Sequence, residues 1–217
     1  MRLTAQIREI LKTGKLRRLE SMTEEDKVAE QLRKCHGIGS STARSMFQAG
    51  VRTIADLQHP EQYGITLNLN QKLGLEHFDD LLDRMPRAEA QAIHELVAEL
   101  GARVDPKAIF TIMGSYRRGQ KDCGDVDILV SRPTADRKDH RGVIKHTMHL
   151  LTKDPRCEVK TLTAPDDWNA LDASWHGLIK LSAFPRWRRL DLLGVPEPEI
   201  GACLIYFTVR RSSSKRY

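Results

Sequence analysis

The chain has 217 residues, 40% of them hydrophobic, which is enough for one large domain or two small ones around a real core. No run approaches the ~18 apolar residues of a membrane span, and MRLTAQIREILK carries no apolar stretch before a small-residue cleavage site, so membrane and secretory classes are set aside and an intracellular protein is expected. The net charge of +6 sits at the ends: residues 1–20 hold six Arg or Lys against two Glu, and the last eight residues hold four Arg or Lys. The middle is slightly acidic, so a polyanionic partner has to be argued from local clusters.

In chain order, AQIREILKTG places Ile7, Ile10 and Leu11 at helical spacing with Gly14 as a stop. SMTEEDKVAEQLRK predicts a second helix, with Ser21 and Glu24 as a capping box. After HGIG, SSTARSMFQAG predicts a helix capped by Ser40 or Ser41 and ended by Gly50; PRAEAQAIHELVAEL predicts another with proline in its first turn. From about residue 107 the pattern changes to short β-branched runs: AIFTIMG, DVDILVS, CEVKTLT, GLIKLSA and RRLDLLGV, with HRGVIKHTMHLL as a helix among them. An all-helical first part is thus expected to meet a sheet layer at a boundary near Asp105 and Pro106. The ending RRSSSKRY has the composition of a disordered tail. Cys35, Cys123, Cys157 and Cys203 form no C-x-x-C pair, which argues for reduced thiols over a zinc ribbon or disulfide framework.

Chemistry concentrates in GSYRRGQKDCGDVDILVSRP, residues 114–133. Residues two apart on a strand share a face, so Asp125 and Asp127 point together while Val126, Ile128 and Val130 point away. Adjacent carboxylates repel unless a cation lies between them, and a divalent metal with oxygen ligands is the usual answer. A solvated sheet edge is the plainer alternative. Asp191 interrupts the apolar run RRLDLL and needs a partner or a metal; either it pairs with Arg188 or Arg189, or it joins the first two in a two-cation site. Gly114 allows close backbone approach, Ser115 is placed to cap the turn at Tyr116, and Arg118 can grip phosphate bidentately.

Further upstream, HGIGSSTA has the form of a helix-hairpin-helix turn, in which glycines let backbone amides approach a phosphate; a plain helical turn would look similar, and Arg33, Lys34 and Arg44 tilt the reading toward DNA. His146 and His149 lack further ligands nearby and read as a solvated helix face, and Trp168, Trp175 and Trp187 read as packing residues. KLRRLE and RRSSSKR also fit nuclear signals.

Together these segments resemble the family X DNA polymerases. AQIREILKTGKLRRLE, HGIGSSTAR, RMPRAEA, GSYRRGQKDCGDVDILVSRP, RRLDLL and LIYFT occur in that family's order between about residues 5 and 208. The resemblance implies an α+β fold: a remnant of a lyase-like domain (1–20), an all-helical fingers region with a helix-hairpin-helix (21–105), a nucleotidyltransferase palm of mixed sheet and helices (106–208) and a basic tail (209–217). It implies template-directed DNA synthesis into short repair gaps, with gapped or nicked DNA and deoxynucleoside triphosphates as partners, repair proteins nearby, a monomer, and a nuclear location.

By position, the resemblance makes Asp125, Asp127 and Asp191 the carboxylates for magnesium, with manganese as substitute; Asp191 would hold the catalytic ion alone and help activate the primer 3′-hydroxyl. Gly114, Ser115, Arg118, Cys123 and Gly124 would line the triphosphate, Arg189 would support the carboxylates, and Tyr206 and Phe207 would lie against the incoming sugar. Gly37, Ile38, Gly39, Ser41 and Thr42 would contact DNA, and carbonyls of Arg33, Cys35 and Ile38 would hold a monovalent cation.

Gln6 occupies the position of the family's Schiff-base lysine, so lyase activity is not expected. The family pattern stops after Thr208 with no thumb subdomain, which reads as a retained intron or truncated gene model and predicts weak or absent polymerisation. Two other readings stay open: a different nucleotidyltransferase, tRNA-tailing or antibiotic-modifying, and a catalytically dead DNA-binding scaffold.

Overall fold

The computed structural model describes Leu11 and residues 22–208. The expected helix over AQIREILKTG, Gln6 and the basic tail lie outside the described residues, Leu11 excepted. The chain divides into two compact units, one up to Glu76 and one from His77. The expected boundary near Asp105 and Pro106 falls inside the second unit.

The first unit is helical: α1 (Glu24–Leu32), α2 (Ser40–Gln48), two single 3-10 turns at Ala55–Gln58 and Pro60–Tyr63, and α3 (Leu69–Glu76). The capping box on α1 is real but shifted from the Ser21–Glu24 pair that the sequence suggested. Thr23 is the N-cap, its hydroxyl accepting from the Asp26 amide while the Asp26 carboxylate accepts from the Thr23 amide. The cap of α2 also differs from expectation: Gly39, with no side chain to offer, stands where Ser40 or Ser41 was expected. Between the two helices Gly37 has φ +83°, and a Cβ there would lie 2.9 Å from the Gln71 amide nitrogen. Only glycine meets both demands. The Gln71 side chain donates to the Gly37 carbonyl at 3.3 Å, tying the turn to α3.

The second unit is built on a five-stranded sheet with order β2 (Ile109–Ile112), β4 (Val126–Ser131), β7 (Arg188–Gly194), β6 (Ser174–Leu181) and β5 (Cys157–Thr163). The β4–β7 pair is parallel and the rest antiparallel, giving a mixed sheet. Each strand expected from the β-branched runs is present.

One face is covered by α5 (Arg87–Val104) and α7 (Val143–Leu151). Ala90, Ile93, Val97 and Leu100 supply the helical stripe of α5; they pack on Val126, Ile128, Val130, Leu190 and Leu192, the inward set of period-two strands. Each buried Val, Leu or Ile side chain among them contributes about 1.5–3 kcal/mol. Pro86 is the N-cap of α5, one position earlier than expected, and Met85–Pro86 form a two-residue strand β1. It pairs with β3 (Asp122–Cys123), so the region before residue 106 is not wholly helical. A short helix α4 (Phe78–Leu82) precedes β1, a single turn α6 (Gly114–Arg117) follows β2, and α8 (Ile200–Thr208) closes the unit.

One buried ion pair joins the helical layer to the sheet. Arg188 binds Glu89 of α5 in fork geometry, Nε to Oε1 at 2.8 Å and Nη2 to Oε2 at 2.9 Å, while its Nη1 donates to the carbonyls of Asp80 and Asp83. Both side chains are almost completely buried. Arg188 is thus committed to the core face, while Arg189, the next residue on β7, points to the other.

Candidate active site

The site develops on the sheet face opposite α5 and α7. The parallel register sets Asp127 beside Asp191, so the two carboxylates rise from neighbouring strands on one face, and Asp125, two residues before Asp127, shares it. Of the two arginines that the sequence offered to Asp191, the structure pairs it with Arg189. Arg189 Nη2 is 3.1 Å from Asp191 Oδ2 and 3.4 Å from Asp125 Oδ2. Arg188 is excluded by its commitment to Glu89.

Burial works against ionisation of Asp191, but the hydrogen bond from His176 and the charges of Arg189 and His176 outweigh it and hold the carboxyl below the ordinary carboxylate range. The group is therefore an anion at neutral pH.

Gly114 stands against this cluster, with Ser115 next in the chain. Gly114 has φ +59°, and a Cβ on it would lie 2.7 Å from Asp127 Oδ2. Ser115 does not cap the turn as expected; it lies within α6, whose N-cap is Met113, and its buried hydroxyl oxygen has no hydrogen-bond partner among the described residues. The turn is fixed from behind by Tyr116. The Tyr116 hydroxyl donates to Gln91, its ring lies 3.6 Å beneath the Arg87 guanidinium, and its carbonyl accepts from Arg87 at 2.6 Å.

Arg118 follows the turn, half-buried. Cys123 is buried in β3, and the exposed Gly124 continues from it toward Asp125. On α8, Tyr206 and Phe207 meet edge to face with centroids 5.1 Å apart; Phe207 packs on the small cluster of Met113, Leu129 and Val195, and Tyr206 is half exposed.

Two residues at the site escaped the sequence reading. His176 is the cross-strand partner of Asp191 on β6, with Nδ1 3.1 Å from Asp191 Oδ1. Arg84 reaches the loop through the β1–β3 pairing, its Nε 2.5 Å from Asp122 Oδ1 and its Nη1 3.4 Å from where a Cβ on Gly124 would sit. Neither follows from local pattern; strand register and a two-residue ribbon bring them in.

Asp125, Asp127 and Asp191 offer oxygen donors only, the ligand chemistry that hard divalent cations take, and a Cβ on Gly114 would crowd the Asp127 carboxylate. Among the described residues no three His, Cys, Asp or Glu side chains come together as a ready-made cage, and Arg189 supplies the positive charge between Asp125 and Asp191.

The helix-hairpin-helix residues belong to the first unit. Ile38 and Cys35 are buried, and the Ile38 amide donates to the Cys35 carbonyl at 3.2 Å. Gly39 gives α2 no side-chain cap, so the amides that open this helix, at Ser41 and Thr42, are not satisfied by one. Arg33 is the exposed C-cap of α1, and Arg44 pairs loosely with Glu25 and Asp26 at 3.8 Å. No described helix is long and apolar enough to cross a membrane.

Comparison with known proteins agrees with this architecture. The family described as the DNA polymerase beta palm matches residues 84–197, and the fingers domain of DNA polymerase lambda matches residues 30–82. DNA polymerase lambda of Rattus norvegicus is 32% identical over 209 residues, covering 95% of this chain and 35% of that protein. DNA polymerase lambda of Arabidopsis thaliana is 38% identical over 140 residues (64% of this chain, 25% of the relative), and DNA nucleotidylexotransferase of Xenopus laevis 33% over 147 (67% and 28%). The chain thus spans about a third or less of the length of these curated relatives. With fingers and palm matched in order and a 32% identity running along nearly its whole length, the chain belongs to the family X DNA polymerases, a family of DNA nucleotidyltransferases.

Proposed function

We propose that this chain carries the nucleotidyl-transfer centre of a repair DNA polymerase, which adds a deoxynucleotide to a primer 3′-hydroxyl in short gaps during base excision repair or end joining. The observation that carries the reading is the register of the β4–β7 pair, which sets Asp127 beside Asp191 with Asp125 on the same face and Gly114 pressed against Asp127.

In this reading Asp125 and Asp127 would hold both magnesium ions, with manganese as substitute, and Asp191 one; bound there, they would supply charge neutralisation for the triphosphate and a lowered pKa for the 3′-hydroxyl. The chain's own groups do the rest. Ser115 offers a buried hydroxyl to a phosphate oxygen, and the Gly114 and Gly124 backbones approach closely because no Cβ intervenes. Arg118 grips phosphate, as Arg-phosphate pairs do bidentately. Arg189 keeps Asp125 and Asp191 from repelling while no substrate is bound. Phe207, fixed by packing, holds Tyr206 where the sugar edge would lie. In the first unit the amides at Gly37, Gly39, Ser41 and Thr42 would receive a DNA phosphate, with a monovalent cation on the Arg33, Cys35 and Ile38 carbonyls. The work belongs to nuclear DNA, alongside other repair proteins.

The test is single-nucleotide incorporation into a gapped duplex with magnesium, comparing the native chain with Asp191→Ala. Incorporation that disappears in the variant supports the reading. Gapped-duplex binding with neither incorporation nor metal-dependent binding of a deoxynucleoside triphosphate would instead favour a DNA-binding scaffold.

A further inference from the structure

We infer that His176 is a positioning residue for Asp191, holding that carboxylate from the side away from the other two acids. The inference rests on the nucleotidyl-transfer reading of the site.

Asp191 sits on β7 between two strands. Its neighbour on the parallel side is Asp127, and its neighbour on the antiparallel side is His176. Cross-strand partners on one face are close enough for direct side-chain contact, and here the contact is made: His176 Nδ1 lies 3.1 Å from Oδ1. The other oxygen, Oδ2, faces Arg189 at 3.1 Å, on the side where the same guanidinium reaches Asp125. The two oxygens therefore have different donors in different directions, which fixes the plane of the carboxylate.

The two donors are not equivalent. A cation or hydroxyl entering among Asp125, Asp127 and Asp191 meets Oδ2 and competes with Arg189. It leaves Oδ1 untouched, so the His176 bond can persist as Arg189 gives way. His176 then stands to Asp191 as outer hydrogen-bond partners stand to metal-ligating carboxylates elsewhere: it does not touch the reacting atoms but sets the orientation of the group that does. The Nδ1–H donor is the required feature; the rest of the ring is not. An amide side chain that places an N–H at the same distance from the backbone should serve in its stead.

Manganese binding to the native 217-residue chain with a deoxynucleoside triphosphate, followed by the electron spin resonance signal of free ion, tests this without requiring turnover. Asp127→Ala, His176→Leu and His176→Asn are compared. We expect Asp127→Ala to abolish tight binding, His176→Leu to weaken it about tenfold, and His176→Asn to stay within about twofold of native. Native-like binding by His176→Leu, with Asp127→Ala still impaired, overturns the inference and leaves the reading of the site standing. Equal weakness in the Leu and Asn variants also overturns it, because the donor would not then be what matters. Manganese binding indifferent to Asp127→Ala overturns the site reading itself.

Discussion

Gly114→Ala separates what the Gly-Ser turn does for the fold from what it does for the site. Gly114 has φ +59° and Gly119, five residues on, has φ +71°. Placing an L side chain in this left-handed region costs about 1–2 kcal/mol, so both alanine variants should lose similar stability. They differ in what the new methyl meets. At Gly119 nothing lies within 4 Å, whereas at Gly114 the Cβ would lie 2.7 Å from Asp127 Oδ2. Asp127 must then retreat by about 0.7 Å to reach ordinary contact. A misplacement of that order at a reacting centre costs about tenfold to a hundredfold. Thermal unfolding should show matched losses for Gly114→Ala and Gly119→Ala, while magnesium-dependent nucleotide binding falls about tenfold or more in the first alone. Equal nucleotide affinity in the two variants would refute the argument that this glycine exists to let the backbone meet the carboxylate.

Other expectations follow from the same geometry. Glu89→Ala strands the Arg188 guanidinium in the core and should destabilise the second unit by about 3–5 kcal/mol, measured by chemical denaturation; a loss under about 1 kcal/mol would mean that the buried fork is replaceable. Asp136 is held below the ordinary carboxylate range chiefly by the hydrogen bond from Arg132, and Asp105, despite burial that opposes it, is lowered by the Lys107 amide and Arg132. Because these folded-state values are depressed, the stability they contribute is complete above the unfolded carboxylate range near about pH 4 and is lost as pH falls through the folded values. An Asp136→Asn variant should therefore show a flatter acid-unfolding profile than the native chain. Burial pushes the Cys35 and Cys157 thiols up to about 11, so both should alkylate slowly at pH 8 in the folded chain and readily once it is unfolded. Gly37→Ala drives a Cβ to 2.9 Å from the Gln71 amide and should weaken gapped-duplex binding while leaving magnesium-dependent nucleotide binding in the other unit unchanged, as read by fluorescence anisotropy.

The sequence made the strands legible as short β-branched and apolar runs, and in one of them Val126, Ile128 and Val130 announce an inward face, so that Asp125 and Asp127 must share the other. What it could not make legible was register. Nothing in RRLDLL says that Asp191 stands opposite Asp127, or that Arg188 turns inward to Glu89 while Arg189 stays with the acids; both depend on which strand pairs with which. His176 was invisible for the same reason, sitting in SWHGLIKL with no local sign of a partner. Capping assignments slipped where two candidate residues lay close together, as at Ser21 and Thr23, or where glycine took the place of a hydroxyl, as at Gly39. Arg84 could be reached only through the Met85–Pro86 ribbon, too short to leave a period.

The central claim is that Asp125 and Asp127 hold the metal that joins a triphosphate to this chain. Equilibrium binding of a deoxynucleoside triphosphate, with magnesium and then with chelator, tests it most directly in the native chain and in Asp125→Ala and Asp127→Ala. The account predicts binding that requires magnesium and is lost in both variants. Binding that survives chelation, or that both variants retain at native affinity, would contradict it.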